Sequence, residues 1–130
     1  MKIVIDASII LSVILGEDKK QKVISATSGF DLISPLCLPW EIGNALSACL
    51  KKNRFNLKEI NIAWRAFETI PIKLSNVNVV DSLNIAKKFN LYAYDCYYIQ
   101  CAMSHNLPLL SLDKKMIDVS QNLNLKIVEV

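Results

Sequence analysis

Two short apolar runs, Lys2 to Ile5 and Leu109 to Leu112, are each followed at once by an aspartate, Asp6 and Asp113. Runs of this length without polar alternation read as strands covered on both faces, the habit of parallel sheets walled by helices. Phe30 to Ser34, Ile72 to Leu74 and Lys126 to Val130 are further candidate strands. Between them, Ile42, Ala45, Leu46, Cys49 and Leu50 recur at helical spacing, with Pro39 where a first helical turn tolerates it. A second helix is announced by Asn56 as cap, Glu59 at the third helical position, and Phe55 facing Ile60 as a staple. Val79, Leu83 and Ala86, then Tyr98, Ile99 and Ala102, then Met116, Val119 and Leu123 mark three more. Strands alternating with helices predict an α/β protein. The expected architecture is a three-layer α/β/α domain over residues 1–130, with a central, mostly parallel sheet of four or five strands and right-handed crossovers.

Composition narrows the function classes. A hydrophobic fraction of 52% suits elements buried on both faces, or an apolar surface shared with a partner, so self-association is expected. The apolar run Ile9 to Leu15 is too short to span a bilayer, and Asp6 interrupts the approach to it, so no membrane partner is implied. A formal charge of +3 permits nucleic acid as a partner without demanding it. Cys37, Cys49, Cys96 and Cys101 lack CxxC spacing and the chain has one histidine, His105, so a zinc site is poorly supplied. Free buried thiols, and with them a cytoplasmic location, are the expectation. Neither GxGxxG nor GxxxxGK[ST] occurs, which removes the common nucleotide-binding loops.

Ligands of open parallel sheets bind beyond the carboxyl ends of the strands, where Asp6 and Asp113 stand. Glu41 and Asp95 open the first turns of two expected helices and can reach the same edge. Taken singly, each acid has an ordinary use at a helix N-terminus. Taken together, converging carboxylates repel and raise one another's pKa, an arrangement relieved by a hard divalent ion such as Mg²⁺ or Mn²⁺. Ser8, two residues after Asp6, and Asn44, on the same helix face as Glu41, are placed to orient a carboxylate or water. Lys114 and Lys115 adjoin Asp113 and are placed to meet nucleic-acid phosphates, although lysines on helices are commonly solvated. Tyr92, Tyr94, Tyr97 and Tyr98 surround Asp95 and read either as core or interface, or as base-stacking groups. His105 suits a helix C-terminus and Asp118 a solvated helix face.

Four segments, IVIDAS at Ile3 to Ser8, WEIGNAL at Trp40 to Leu46, YAYDCYYIQCA at Tyr92 to Ala102 and LPLLSLDKKM at Leu107 to Met116, together resemble the PIN-domain family, specifically its VapC toxins. They follow the family order over nearly the whole chain. The resemblance implies that Asp6, Glu41, Asp95 and Asp113 are the acidic, metal-binding catalytic residues, with Ser8 and Asn44 as supporting polar groups. It further implies cleavage of single-stranded or looped RNA, a homodimer, and a small VapB-like antitoxin as partner. Two alternatives stay open: a catalytically silent PIN-like protein-binding module, and a receiver-like phosphotransfer regulator. The latter would want a paired acid near the first strand, where Ile5 stands instead. A haloacid-dehalogenase-like phosphatase would need an acid in place of Ser8.

Overall fold

A computed structural model describes all of residues 1–130. Strand β1 (Lys2–Ile5) leads into helix α1 (Ala7–Ile14) and then α2 (Lys20–Thr27). Strand β2 (Asp31–Pro35) is followed by α3 (Leu38–Lys51) and α4 (Leu57–Glu68). The remainder runs β3 (Ile72–Ser75), α5 (Val79–Phe89), α6 (Ala93–His105), β4 (Leu109–Leu110) and α7 (Lys114–Asn122). The sheet has the order β3-β2-β1-β4, and every pairing is parallel. Val4 sits opposite both Ile33 and Leu109, so β1 is a central strand and its last residue opens at the middle of the sheet edge.

Apolar side chains explain this placement. Ile3, Val4 and Ile5 of β1 and Leu109 and Leu110 of β4 are wholly buried, as a strand covered on both faces requires. Helices α1 to α4 pack against one another, while α6 lies on β1 and β2 and carries α5 and α7 beside it. The result is the expected three-layer α/β/α arrangement around one cluster of 25 buried residues. Helix α6 is anchored by Cys96, Tyr98, Ile99, Cys101 and Ala102, which are fully enclosed. All four cysteines are free, and only Cys37 is partly exposed.

The start of α4 follows its sequence signals: Asn56 Oδ1 accepts from the Glu59 N–H at 2.8 Å, and Glu59 Oε1 accepts from the Asn56 N–H at 3.0 Å. Helices α5 and α6 end at Asn90 and Asn106 in the left-handed conformation, at φ of 54° and 52°, a stop that asparagine tolerates better than most residues.

The segment Lys126 to Val130, expected as a strand, forms only an isolated parallel bridge between Ile127 and Leu109. Its pairing partner is short: β4 has two residues, and only Leu109 exchanges backbone hydrogen bonds with the segment, through Lys126 and Val128. The sheet therefore has four strands, not five. Helix α2 carries no strong sequence signal, having neither a side-chain cap at Lys19 nor more than one buried residue, Val23.

Candidate active site

The acids meet where β1 and β4 end. Asp6 and Asp113 both cap helices: Asp6 Oδ1 accepts from the Ile9 N–H at 3.3 Å, and Asp113 Oδ1 from the Met116 N–H at 3.0 Å. Glu41 lies in the first turn of α3 and Asp95 in the first turn of α6. Neither of those helices has a side-chain cap, and both acids line a cavity of about 290 Å³. Asp6, Glu41, Asp95 and Asp113 line that cavity together with Ser8 and Asn44, and Ala7, Leu11, Ala45 and Met116 form its apolar wall.

Asp6 is the fixed point. It is only 3% exposed, and three donors hold it: Ser8 Oγ on Oδ1 at 2.6 Å, Ser111 Oγ on Oδ2 at 2.6 Å, and the Ile9 amide. Each serine also accepts a backbone N–H, Ser8 from Leu112 and Ser111 from Asp113, both at 2.9 Å. The two hydroxyls thus stitch the end of β1 to the turn after β4 and set the spacing of Asp6 and Asp113. Glu41 is held differently, by the buried Tyr98 hydroxyl, which donates to its Oε2.

Electrostatics register the crowding. Burial pushes the Asp6 carboxyl up to about 6; its hydrogen bonds from Ser111, Ser8 and Ile9 oppose this, and the charge of Asp113 adds to it. Glu41 is raised by desolvation, and further by Asp6 and Asp95, against the Tyr98 hydrogen bond. Asp95 is raised by desolvation and by Asp113, and lowered by Lys115. Each acid therefore lies in the field of at least one other. No three His, Cys, Asp or Glu side chains are grouped tightly enough to form a closed ion cage by themselves. The donor set is hard oxygen throughout, which suits Mg²⁺ or Mn²⁺ and, with no thiol or imidazole at the cavity, suits Zn²⁺ poorly.

The family model for the PIN domain matches residues 3–122. The chain belongs to the PIN domain family. Members of this family are generally nucleases. Among solved structures, this PIN domain is similar to PAE2754 from Pyrobaculum aerophilum, with a TM-score of 0.73 and 19% identity over 98% of this chain and 91% of that one. It is similar to FitAcB from Neisseria gonorrhoeae at a TM-score of 0.68 and 17% identity, covering 98% and 96%. It is also similar to the sarcin-ricin loop cleaving toxin VapC20 of Mycobacterium tuberculosis, at 0.64 and 9%, covering 90% and 94%. At these identities the likeness establishes the fold. No curated protein sequence matches the chain. Family membership displaces the receiver-like alternative.

Of the residues singled out in the sequence, the PIN fold brings Asp6, Ser8, Glu41, Asn44, Asp95 and Asp113 into one cavity. It does not bring Lys114 or Lys115 into the wall; Lys115 instead donates to the Asn90 carbonyl at 3.2 Å, within the field of Asp95. His105 ends α6 with Nδ1 2.9 Å from the Cys101 carbonyl, outside the cavity, and Asp118, within α7, also lies outside it. Tyr98 is core, Tyr97 is half-buried edge-on to Tyr94 at 5.9 Å, and Tyr92 and Tyr94 are exposed. Sequence reasoning missed Ser111, whose only signal is its place two residues before Asp113, and the link from Tyr98 to Glu41, which lies 57 residues away along the chain.

Proposed function

We propose that this PIN domain is a Mg²⁺- or Mn²⁺-dependent endoribonuclease that cuts single-stranded or looped RNA, acting in the cytoplasm as the toxin of a type II toxin-antitoxin pair. One observation carries the reading: carboxylates from Asp6, Glu41, Asp95 and Asp113, spread over most of the chain, line a single cavity with no lysine or arginine among its lining residues. Such a pocket repels a phosphodiester until a divalent cation occupies it. Asp6, Glu41, Asp95 and Asp113 would hold that ion, which when bound supplies charge for the phosphate and a water of lowered pKa. Ser8 and Ser111 keep Asp6 oriented, and Asn44 offers an amide to a water or a phosphate oxygen. Lys114 and Lys115, beside Asp113, draw the RNA backbone toward the pocket mouth.

The test is cleavage of a structured RNA with Mg²⁺ and with EDTA. Activity is expected only with the metal, with 5′-phosphate ends on the products, and lost in Asp6→Asn. An Asp6→Asn protein with full activity would overturn the assignment. A Mn²⁺ titration separates this reading from its rival, a catalytically silent binding module. Saturable binding at the acids supports the nuclease; none supports the module.

Partners belong to the same reading. An antitoxin segment, amphipathic and small, finds exposed Leu57 and Ile62 on α4, within the apolar stretch from Trp40 to Phe67. A homodimer is supported by the exposed apolar side chains Leu36, Trp40, Val79, Val80 and Leu83. Light scattering of the purified chain should give twice its 14.6 kDa mass.

A further inference from the structure

Tyr98 is wholly buried in α6, three residues after Asp95 and so on the same side of that helix. One helix thus supplies both a cavity acid and a contact to the acid of another helix, Glu41 of α3. The hydroxyl donates to Glu41 Oε2, and the thiol of half-buried Cys37, the residue just before α3, lies against the same hydroxyl. A phenylalanine would fill the same apolar volume, so packing does not require the oxygen. A buried hydroxyl does require a partner. Here that partner is a carboxylate lining the site, and the bond is charge-assisted. Glutamate carries three side-chain torsions, and fixing them costs conformational entropy, so an unsupported Glu41 would sample several positions.

We propose that Tyr98 is a positioning residue: its hydroxyl pins one oxygen of Glu41 inside the protein and thereby presents the other to the cavity for the cation. This rests on the reading of the acids as metal holders.

The experiment is calorimetric titration of the full chain with Mn²⁺. Tyr98→Phe should weaken Mn²⁺ binding about tenfold, the low end for partners that orient a metal ligand. Glu41→Gln should weaken it as well, and adding Tyr98→Phe to Glu41→Gln should change the affinity less than about twofold, because both act through one carboxylate. A purely structural hydroxyl would lower the thermal stability of the metal-free protein and leave the Mn²⁺ affinity alone, which overturns the proposal. Wild-type protein that binds no Mn²⁺ overturns this proposal and the metal reading together; a Tyr98→Phe protein with wild-type affinity overturns this proposal only. Should Tyr98→Phe fail to fold, 3-fluorotyrosine incorporated into the wild-type chain gives a second readout. The ¹⁹F resonance of Tyr98 should move with Mg²⁺ saturation, and a resonance indifferent to Mg²⁺ overturns the proposal.

Discussion

Removing the Asp6 charge should stabilise the metal-free protein while abolishing its activity. Asp6 is 3% exposed and its carboxyl is pushed from 3.8 up to about 6, chiefly by burial. Between those two values the folded state binds more protons than the unfolded state, so stability falls as pH rises across that window. It is fully present below 3.8 and lost above about 6. At about 1.4 kcal/mol per pH unit, ionising Asp6 in place costs the fold about 3 kcal/mol. Asp6→Asn keeps an acceptor for the Ile9 amide but must turn one serine hydroxyl, at about 1 kcal/mol. The variant should therefore be more stable than wild type by about 2 kcal/mol at pH 7.5 in EDTA, and about equal near pH 4. Urea denaturation followed by circular dichroism at the two pH values measures this. Saturating Mg²⁺ should reverse the order, because ligand at about a hundred times its Kd adds about 2.7 kcal/mol to the wild type alone. A stability difference that does not change with pH, or a variant weaker than wild type at pH 7.5 in EDTA, would refute the view that Asp6 is an uncompensated buried charge.

Three further outcomes are expected. Ser111→Ala removes a donor to Asp6 and the acceptor of the Asp113 N–H, and should reduce RNA cleavage about 10- to 100-fold in a single-turnover assay. Asn56→Ala breaks the capping box of α4 and should cost about 1 kcal/mol in chemical denaturation with no change in cleavage, since α4 does not line the cavity. Lys115→Ala should lower RNA affinity and reduce the slope of log affinity against log salt by about one, with stability altered by less than about 0.5 kcal/mol. Filter binding across a salt series reads this, and an unchanged slope would remove Lys115 from the RNA-facing surface.

The sequence was legible wherever the cause was local. Ile3 to Ile5 is β-branched and without alternation, the pattern of a doubly covered strand. Asn56 and Glu59 cap α4 through bonds spanning three residues, which a sequence displays in full. The acids at strand ends and first turns were readable for the same reason: the sheet's open edge is implied by the order of elements. Helix α2 was not readable, because it has no capping side chain and one buried residue, and it holds its form by packing on α1. Lys126 to Val130 has the composition of a strand, yet pairing needs a partner strand, and the two-residue β4 offers it one bridge, at Leu109.

By itself, then, the sequence determined the class of fold, the caps, and which carboxylates stand at the sheet edge, since each depends on neighbours a few residues away. Tertiary structure decided which of them share a cavity and what holds each one. Ser111 reaches Asp6 across 105 residues and Tyr98 reaches Glu41 across 57, and hydrogen bonds of that kind exist only once the strands and helices that carry the partners have packed. The raised carboxyl of Asp6 has the same origin, because desolvation belongs to the surrounding layers rather than to the aspartate.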